Sequence, residues 1–180
     1  MGDDRTKGER MRRNDADFDE FAVAAWPRLR WAAYLLTSDH HLAEDLAQTA
    51  LIRTYSSWHK VRRDDAMAFT RRVLVNLNID RLRKRRVQEV GDLVGDHAAI
   101  DPGDPLGDRD ELVRLLATLT DKERRVVLLR HYFDLSEAAV AVELGIAAGT
   151  VKSTLARALG KLRVSAAAQP TDTMTTGRNR

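Results

Sequence analysis

The sequence predicts an all-α protein: two small helical domains joined by a flexible acidic linker, the second of them a helix-turn-helix domain. Apolar residues recur three and four positions apart in both halves of the chain, which is the period of an amphipathic helix. No segment alternates apolar and polar residues convincingly, as a half-buried strand would. Pro27 is the only glycine or proline between Arg10 and Val90, and six such residues then fall within 91–107.

These helix-breaking residues set the expected domain boundaries. We expect a first domain over residues 14–90, a linker over 91–109 and a second domain over 110–166, because structureless segments of this length are uncommon inside a compact domain. The polar ends, residues 1–13 and 167–180, are expected to be disordered. When extended at roughly 3.3 Å per residue, the linker would reach about 60 Å.

Three helices are predicted in the first domain. Thr37, Ser38 and Asp39 end the first helix and offer caps for the second, while Asp64 and Asp65 can cap the third. The residues expected on the inward faces, in chain order, are Phe18, Phe21, Ala22, Ala25, Leu29, Ala32, Leu36, Leu42, Leu46, Ala50, Tyr55, Phe69, Val73, Leu77 and Leu82.

The second domain opens with a helix whose leucines have helical spacing. Thr120 and Glu123 then form a capping box, a pairing that satisfies backbone donors at a helix start, ahead of the apolar run Val126–Leu129. The leucines of the opening helix are Leu112, Leu115, Leu116 and Leu119.

The clearest motif is a helix-turn-helix. Ala141, Gly145 and Val151 supply a small residue where two helices touch, a glycine for the left-handed turn and a β-branched core residue on the second helix. We expect the first helix over Ser136–Glu143 and the recognition helix over Ala148–Leu162. Its inward residues would be Val151, Leu155 and Leu159, and its DNA-facing residues Thr150, Lys152, Ser153, Thr154 and Arg157.

Composition excludes several classes of protein. No apolar run is long enough to span a bilayer and no secretory leader is recognised, so we expect a cytoplasmic protein without membrane insertion. The absence of cysteine excludes disulfides and thiol catalysis. Adjacent His40 and His41 point to different helix faces, so no metal site is expected there. Without a nucleophile motif or a phosphate-binding loop, we expect no enzyme activity and no cofactor.

The charges are unevenly distributed behind a net charge of only +3. Residues 53–86 hold 11 basic and 3 acidic side chains, and residues 147–163 hold 4 basic and none acidic. Residues 87–111, by contrast, hold 8 acidic and 1 basic. Two basic patches separated by an acidic segment favour a nucleic-acid partner over a uniformly solvated surface.

The first basic patch has features of a reader of unstacked bases. Arg81 and the run Arg83–Arg86 would track phosphates at a helix end, and amides such as Asn76 precede them. Trp58 and Phe69 lie close by in sequence, and aromatic rings can stack on bases pulled out of a duplex.

Three segments resemble motifs of the bacterial extracytoplasmic-function (ECF) sigma factors. Leu135–Ala158 resembles their promoter −35 reading domain, and Phe69–Arg86 resembles their −10 reading helix. Ala43–Tyr55 resembles the helix that binds the clamp helices of the RNA polymerase β′ subunit. The motifs occur in family order over about residues 15–165. The segments 18–21 and 33–37 look most like the actinobacterial SigE-like subgroup.

The resemblance implies an alternative sigma factor, which binds core RNA polymerase and directs transcription initiation at specific −35/−10 promoters. Its implied partners are the β′ clamp helices of core polymerase and promoter DNA, with an anti-sigma factor as a further candidate. The implied polymerase-binding residues are Asp45, Gln48, Thr49 and Arg53. For the −10 element they are Trp58, Arg62, Arg63, Asn76, Asp80 and Arg81, and for the −35 element Thr150, Lys152, Ser153, Thr154 and Arg157.

The chain departs from the family pattern in the helix-turn-helix. Glu137, Ala139 and Ala147 replace a common tyrosine, glutamate and serine. Loss of the serine removes an N-cap worth roughly 1 kcal/mol, which predicts a recognition helix that starts later or frays. The exact −35 contacts are therefore left open.

Two other classes of protein fit parts of this sequence. A free-standing two-domain DNA-binding regulator has no use for Asp45 and Gln48 on an exposed face. A helical adaptor such as an anti-sigma protein fits the acidic linker, but does not need two acid-poor basic helices.

Overall fold

The structure, a computed structural model, describes the backbone of residues 3–89 and 108–167 and the side chains of residues 14–88 and 111–167. Within these residues the chain is helical and contains no strand, as predicted. Residues 91–107 of the predicted linker (91–109) and residues 168–180 of the predicted tail lie outside the described residues.

The first domain is a bundle of three long helices. They are α1 (Asp3–Thr37), α2 (His40–Ser56) and α3 (Ala66–Glu89), and two short 3₁₀ turns, Trp58–Lys60 and Arg63–Asp65, connect α2 to α3. The α1 helix therefore includes residues that the sequence analysis assigned to a disordered end.

The predicted junction between α1 and α2 is confirmed. Helix α1 ends at Thr37, and the Asp39 side chain accepts a hydrogen bond from the Leu42 amide at 2.9 Å, capping α2. Ser38 takes a positive φ of 55° between the two helices. A tight corner of this kind folds α2 back along α1.

The inward faces of α1 and α2 largely follow the predicted spacing, whereas α3 differs. Leu29, Leu46 and Ala50 are buried as predicted, but Tyr55 is 45% exposed. On α3 the most buried positions lie one residue further along than predicted, at Thr70, Leu74 and Asn78, with Arg71 and Val75 beside them. Helix α3 packs against both α2 and the second domain, so a broader arc of its surface is covered than one apolar stripe indicates.

The second domain contains four α-helices in its described part. They are α4 (Asp108–Ala117), α5 (Asp121–Val127), α6 (Glu137–Leu144) and α7 (Ala148–Ala167), and α5 continues into a π-helical turn over Leu128–Tyr132. The Thr120–Glu123 capping box is present in both directions. The four helices and the π-helical turn each contribute fully buried side chains to the core, among them Val113, Val126, Leu129, Val140 and Val151.

The helix-turn-helix is close to the predicted one. Ser136 caps α6 by accepting a hydrogen bond from the Ala139 amide, and Gly145 adopts a left-handed φ of 63° at the turn. Helix α7 begins at Ala148 as its spacing predicts, so the later start expected from the loss of a serine cap is not observed. The Ala147 carbonyl instead accepts hydrogen bonds from the amides of Thr150 and Val151.

The two domains pack against one another. Helix α1 contacts α4, α5 and the π-helical turn of the second domain, and one continuous cluster of buried apolar residues includes members of both domains. Separate units on a tether were predicted, and the sequence patterns gave no sign of this interface.

Among the described residues, no single helix is long and apolar enough to cross a membrane. The bent pair formed by α6 and α7 meets the criterion by length and composition only.

Candidate nucleic-acid interface

Helix α2 separates a buried face from an exposed polar face. Its buried residues pack on α1 and α3, while Asp45, Gln48 and Arg53 are exposed and Thr49 is half-buried. These four positions recur at three, four and eight residues, so they share one side of the helix. The structure therefore brings together all four residues for which the resemblance implies contact with polymerase.

Sequence reasoning missed Ile52, which lies on the same side of α2. Its side chain is 58% exposed although it is a large apolar residue. An apolar side chain with polar residues around it matches the core-and-rim arrangement of protein–protein contacts. The signal was available in the helical spacing, since Ile52 follows Asp45 by seven residues and Gln48 by four.

The exposed face of α3 carries part of the predicted −10 site. Asn76 and Asp80 are exposed one helical turn apart, with Arg83 and Lys84 exposed on the next turn. Arg81 differs, because it is half-buried and its Nε has no hydrogen-bond partner among the described residues. Burial lowers the pKa of the Arg81 guanidinium, and the neighbouring charge of Arg85 lowers it further. Arg81 therefore lies apart from the open face that carries Asn76 and Asp80.

The loop between α2 and α3 is organised around Trp58, which is only 1% exposed. Its ring stacks on Phe21 at 5.1 Å and meets Phe18 edge-on at 5.1 Å. The Arg63 guanidinium lies 4.0 Å from the centre of the Trp58 ring. The ring faces are thus covered in this structure, whereas stacking of a base on Trp58 would need a free ring face.

Arg63 is in turn held by α1. Its guanidinium donates hydrogen bonds to Asn14 at 2.9 Å and to Asp17 at 3.2 Å. The neighbouring Arg62 is exposed, and its guanidinium forms a long 3.8 Å ion pair with Asp65. Arg62 is therefore the more accessible cation of the two for a phosphate.

Helix α7 presents a basic face of the predicted kind. Lys152, Ser153 and Arg157 are exposed, Thr150 is half-buried, and Val151 and Leu155 are buried beneath them. The described residues of α7 include no acidic side chain. Such a face can place side-chain donors on phosphates and base edges of a major groove.

Thr154 is the exception on α7, because it is 1% exposed and its Oγ1 has no hydrogen-bond partner in the part of the chain that the structure describes. The sequence analysis placed Thr154 on the DNA-facing side. Three residues after Val151, however, it turns back to within about 60° of that core residue on a helix of 3.6 residues per turn. The predicted outward position of Thr154 is therefore wrong.

Thr154→Val is expected to leave promoter binding unchanged and to raise stability by about 1 kcal/mol. An unpaired buried hydroxyl costs about 1–3 kcal/mol, and valine has a similar shape without that group. Thermal unfolding and −35 DNA affinity measure the two effects, and Ser153→Ala at the neighbouring exposed position should instead lower the affinity without raising stability. A loss of affinity as large as that of Lys152→Ala would contradict this placement.

Glu123 connects the start of α5 to the end of the recognition helix. Its Oε2 accepts hydrogen bonds from the Thr120 amide and hydroxyl, both at 2.9 Å, and from Lys161 Nζ at 2.8 Å. The Lys161 hydrogen bond, assisted by those from Thr120, lowers the pKa of Glu123 against the opposing effect of burial. This carboxylate helps to fix the angle between α5 and α7.

Glu123→Gln is expected to reduce stability at pH 7 by about 1 kcal/mol. Because the pKa of Glu123 is lowered on folding, its ionised form stabilises the protein above its unfolded-state pKa, and that contribution is lost as pH falls through the lowered value. The difference between wild type and variant should therefore shrink in acid. Thermal unfolding from pH 7 down to about pH 3 measures it, with exposed Glu111→Gln as the control. A difference that persists unchanged in acid would contradict the assignment.

Other polar groups near these faces have structural partners. His40 stacks on Tyr34 with 3.8 Å between ring centres, and Glu44 pairs with Arg30 at 3.1 Å. In the part of the chain described, no three histidine or acidic side chains are grouped as metal ligands would be.

The fold and these faces define a two-domain, helix-turn-helix DNA-binding protein with a further exposed face on α2. Comparison with known families takes the assignment further. Residues 10–87 match sigma-70 region 2, and residues 109–162 match sigma-70, region 4.

Individual relatives agree with these matches. The chain is 39% identical to the RNA polymerase sigma-E factor of Streptomyces avermitilis, over 82% of this chain and 83% of that protein. It is 37% identical to the sigma-E factor of Streptomyces coelicolor, over 87% and 89%. A solved structure of the sigma factor RpoE of Bartonella quintana, in complex with the anti-sigma factor NepR, aligns with a TM-score of 0.69 and 27% identity, covering 86% of this chain and 99% of that one.

The chain belongs to the sigma-70 family, as an ECF sigma factor of the SigE-like group. It is an alternative sigma factor that directs promoter-specific initiation of transcription.

Proposed function

We propose that the exposed face of α2 binds the β′ clamp helices of core RNA polymerase. Asp45, Gln48, Thr49 and Arg53 provide its polar contacts, and Ile52 provides an apolar centre. The support is geometric: these residues share one side of α2, while the opposite side is fully used in packing. The sigma-70 region 2 match spans this helix.

The −10 element is assigned to the loop after α2 and to the exposed face of α3. Asn76 and Asp80 would read unstacked bases, and exposed Arg62 would contact the backbone. Trp58 and Arg63 anchor the loop to α1. The Trp58 ring contacts Phe18 and Phe21, and the Arg63 guanidinium donates to Asn14 and Asp17. Arg81 can contact the −10 element only if its partly buried side chain becomes exposed.

The −35 element is assigned to the exposed face of α7. Lys152, Ser153 and Arg157 are the contacts, with Thr150 at the helix start, where the positive end of the helix dipole favours a phosphate. Thr154 is withdrawn from this set because it is buried. The logarithm of the binding constant falls linearly with the logarithm of the salt concentration. Each lost phosphate contact should make that slope shallower by about 0.9.

The observation that carries the proposal is the separation of exposed polar faces on α2, α3 and α7 around one closed apolar core. Such an arrangement suits a specificity factor that joins a polymerase to DNA rather than an enzyme. Its site of action would be the cytoplasm, with the polymerase. Because the similar RpoE was crystallised with an anti-sigma factor, we also infer a partner of that class for this chain.

Transcription in vitro tests the proposal. The full chain is combined with purified core polymerase and a library of DNA fragments, and transcript start sites are sequenced. We expect initiation downstream of shared −35 and −10 elements. Lys152→Ala with Arg157→Ala should weaken recognition of the −35 element, and Asn76→Ala with Asp80→Ala should weaken recognition of the −10 element. No transcript above core polymerase alone would refute the proposal.

A further inference from the structure

A cleft in the second domain lies between the turn that follows α4 and the C-terminal half of α7. Its volume is about 820 Å³, and small-molecule sites typically have roughly 300–1,000 Å³. Thr118, Thr120 and Lys122 line one side of this α7 cleft, and Arg157 and Lys161 line the other. Of the residues assigned to the −35 face, only Arg157 also lines the cleft, so most of the cleft has no assigned role.

Cations dominate the charge of the α7 cleft. Lys122, Arg157 and Lys161 contribute three positive charges, against one carboxylate from Glu123. That carboxylate is already bound by Lys161 Nζ at 2.8 Å. Among the described residues, no acidic side chain pairs with Lys122 or Arg157. Two cations without a counter-ion favour the binding of an anion.

A buried hydroxyl lines the same cleft without a partner. Thr154 is 1% exposed, and its Oγ1 has no hydrogen-bond partner in residues 14–88 or 111–167. Buried polar groups nearly always have a partner, so an unpaired one points to a group that the protein itself does not supply. Thr154, Arg157 and Lys161 follow one another at intervals of three and four residues, which places them on one side of α7.

Gly160 lies among these residues in the interior of α7 and also lines the cleft. Apart from the adjacent residues and the backbone of its own helix, no described atom lies within 4 Å of the position that its β-carbon would take. Glycine weakens a helix interior relative to alanine, and packing within the domain does not require it here. The missing side chain instead opens the cleft to a ligand that approaches the helix backbone closely.

The lining of the α7 cleft suits a phosphorylated molecule. Lysine and arginine side chains, together with hydroxyl donors, are the groups that bind phosphate in proteins. Val164 also lines the cleft and is 71% exposed, so an apolar surface is available beside the cations. A ligand with a phosphate group and a larger organic part can use both.

We propose that the α7 cleft binds a phosphorylated small molecule of nucleotide size, which competes with −35 DNA for Arg157. The competition rests on the proposed function of α7, whereas the binding itself does not. The phosphate pairs with Lys122 and Arg157 and accepts a hydrogen bond from the Thr154 hydroxyl, and the organic part lies against Gly160. Because Arg157 cannot serve both partners at once, the bound ligand lowers the affinity for −35 DNA.

Binding of ATP to the full chain, followed by calorimetry at about 0.15 M salt to screen weak attraction to other basic surfaces, tests the site. Gly160→Leu places a side chain in the cleft, and it should remain folded because leucine favours a helix and no described atom lies in its way. We expect this variant to bind ATP at least about tenfold more weakly. Gly149→Leu, at the other open glycine of α7, is the control and should bind ATP as the parent does. No binding by the parent at about 1 mM ATP, or an equal loss in both variants, would overturn the proposal.

Charge variants and fragments of ATP test the class of ligand. Lys122→Glu should weaken ATP binding at least about tenfold, and Arg114→Glu, the same change at an exposed position of α4 outside the cleft, by less than about twofold. Equal weakening would mean that overall charge alone attracts ATP and would refute the site. Inorganic pyrophosphate should displace ATP, whereas adenosine should not. Displacement by adenosine alone would overturn the assignment to phosphate.

Binding of −35 DNA to the same chain tests the competition. ATP should lower the affinity for a −35 duplex, and it should do so less in Thr154→Val, which removes a hydroxyl from the cleft but no DNA contact. Simultaneous binding of ATP and DNA without mutual weakening would refute the competition. If Lys122→Glu weakened DNA binding while the parent bound no ATP, the cleft would hold a phosphate of the DNA backbone and the proposal would be wrong. A parent chain that binds ATP but no −35 DNA would refute the proposed function of α7 and leave the ligand site standing.

Discussion

Replacing Ile52 by aspartate is expected to weaken binding to core RNA polymerase by a hundredfold or more. Ile52 is 58% exposed at the centre of the polar face formed by Asp45, Gln48 and Arg53. An apolar side chain at the centre of an interface, ringed by polar groups that exclude water, often accounts for 2–4 kcal/mol of binding, and about 2.7 kcal/mol corresponds to a hundredfold. A buried, unpaired aspartate adds a desolvation cost to that loss.

The folded state should tolerate this change, because position 52 is already in contact with water. Thermal unfolding should shift little, while the affinity for core polymerase, measured by fluorescence anisotropy of a labelled chain, should collapse. Val142→Asp is the matched control, since Val142 is a 79% exposed aliphatic residue on α6. An equal loss of core affinity in both variants would show that the α2 face is not the binding surface.

The salt dependence of the loss in core-polymerase affinity separates Ile52 from its polar neighbours. Exposed charged or polar residues at an interface rim typically change the association rate and its salt dependence more than the affinity. Asp45→Arg should therefore act more weakly at high salt, whereas the effect of Ile52→Asp should persist. If salt abolished both effects equally, the apolar centre assigned to Ile52 would be refuted.

Local features of the fold could be predicted from the sequence because local residues determine them. Asp39 caps α2, Thr120 and Glu123 form their box, and Gly145 takes the left-handed turn, each through contacts within a few residues. Charge and helical spacing likewise indicated the basic face of α7. The family of the chain followed from motifs that carry this local information.

What the sequence did not reveal depends on contacts between distant segments. In the sequence, nothing distinguishes Arg71 from the other cations of α3. Only the folded chain brings it to Glu143. Thr154 was placed outward because a polar residue on a basic helix reads as exposed, although its angular position belongs to the core. Trp58 was assigned to base stacking because an aromatic residue near a basic patch gives the same signal whether it is buried or open.

Trp58→Ala is expected to cost about 3–5 kcal/mol of stability, the largest effect of any single change considered for the first domain. The side chain is 1% exposed and lies between Phe18, Phe21 and Arg63, so truncation leaves a cavity that these neighbours cannot fill without moving the loop. Chemical denaturation measures the loss. Trp26→Ala, at a half-buried tryptophan of α1, is the control and should cost less.

Trp58→Phe separates support of the loop from contact with a base. Phenylalanine keeps most of the packing and removes the indole Nε1, for which residues 14–88 and 111–167 provide no hydrogen-bond partner, so we expect a smaller loss of about 1–2 kcal/mol. Permanganate reactivity of promoter thymines, measured well below the unfolding temperature, should then be near normal for Trp58→Phe. It should be impaired for Trp58→Ala, because the loop that carries Arg62 loses its support. Normal melting by Trp58→Ala under conditions where it remains folded would show that the loop does not depend on this side chain.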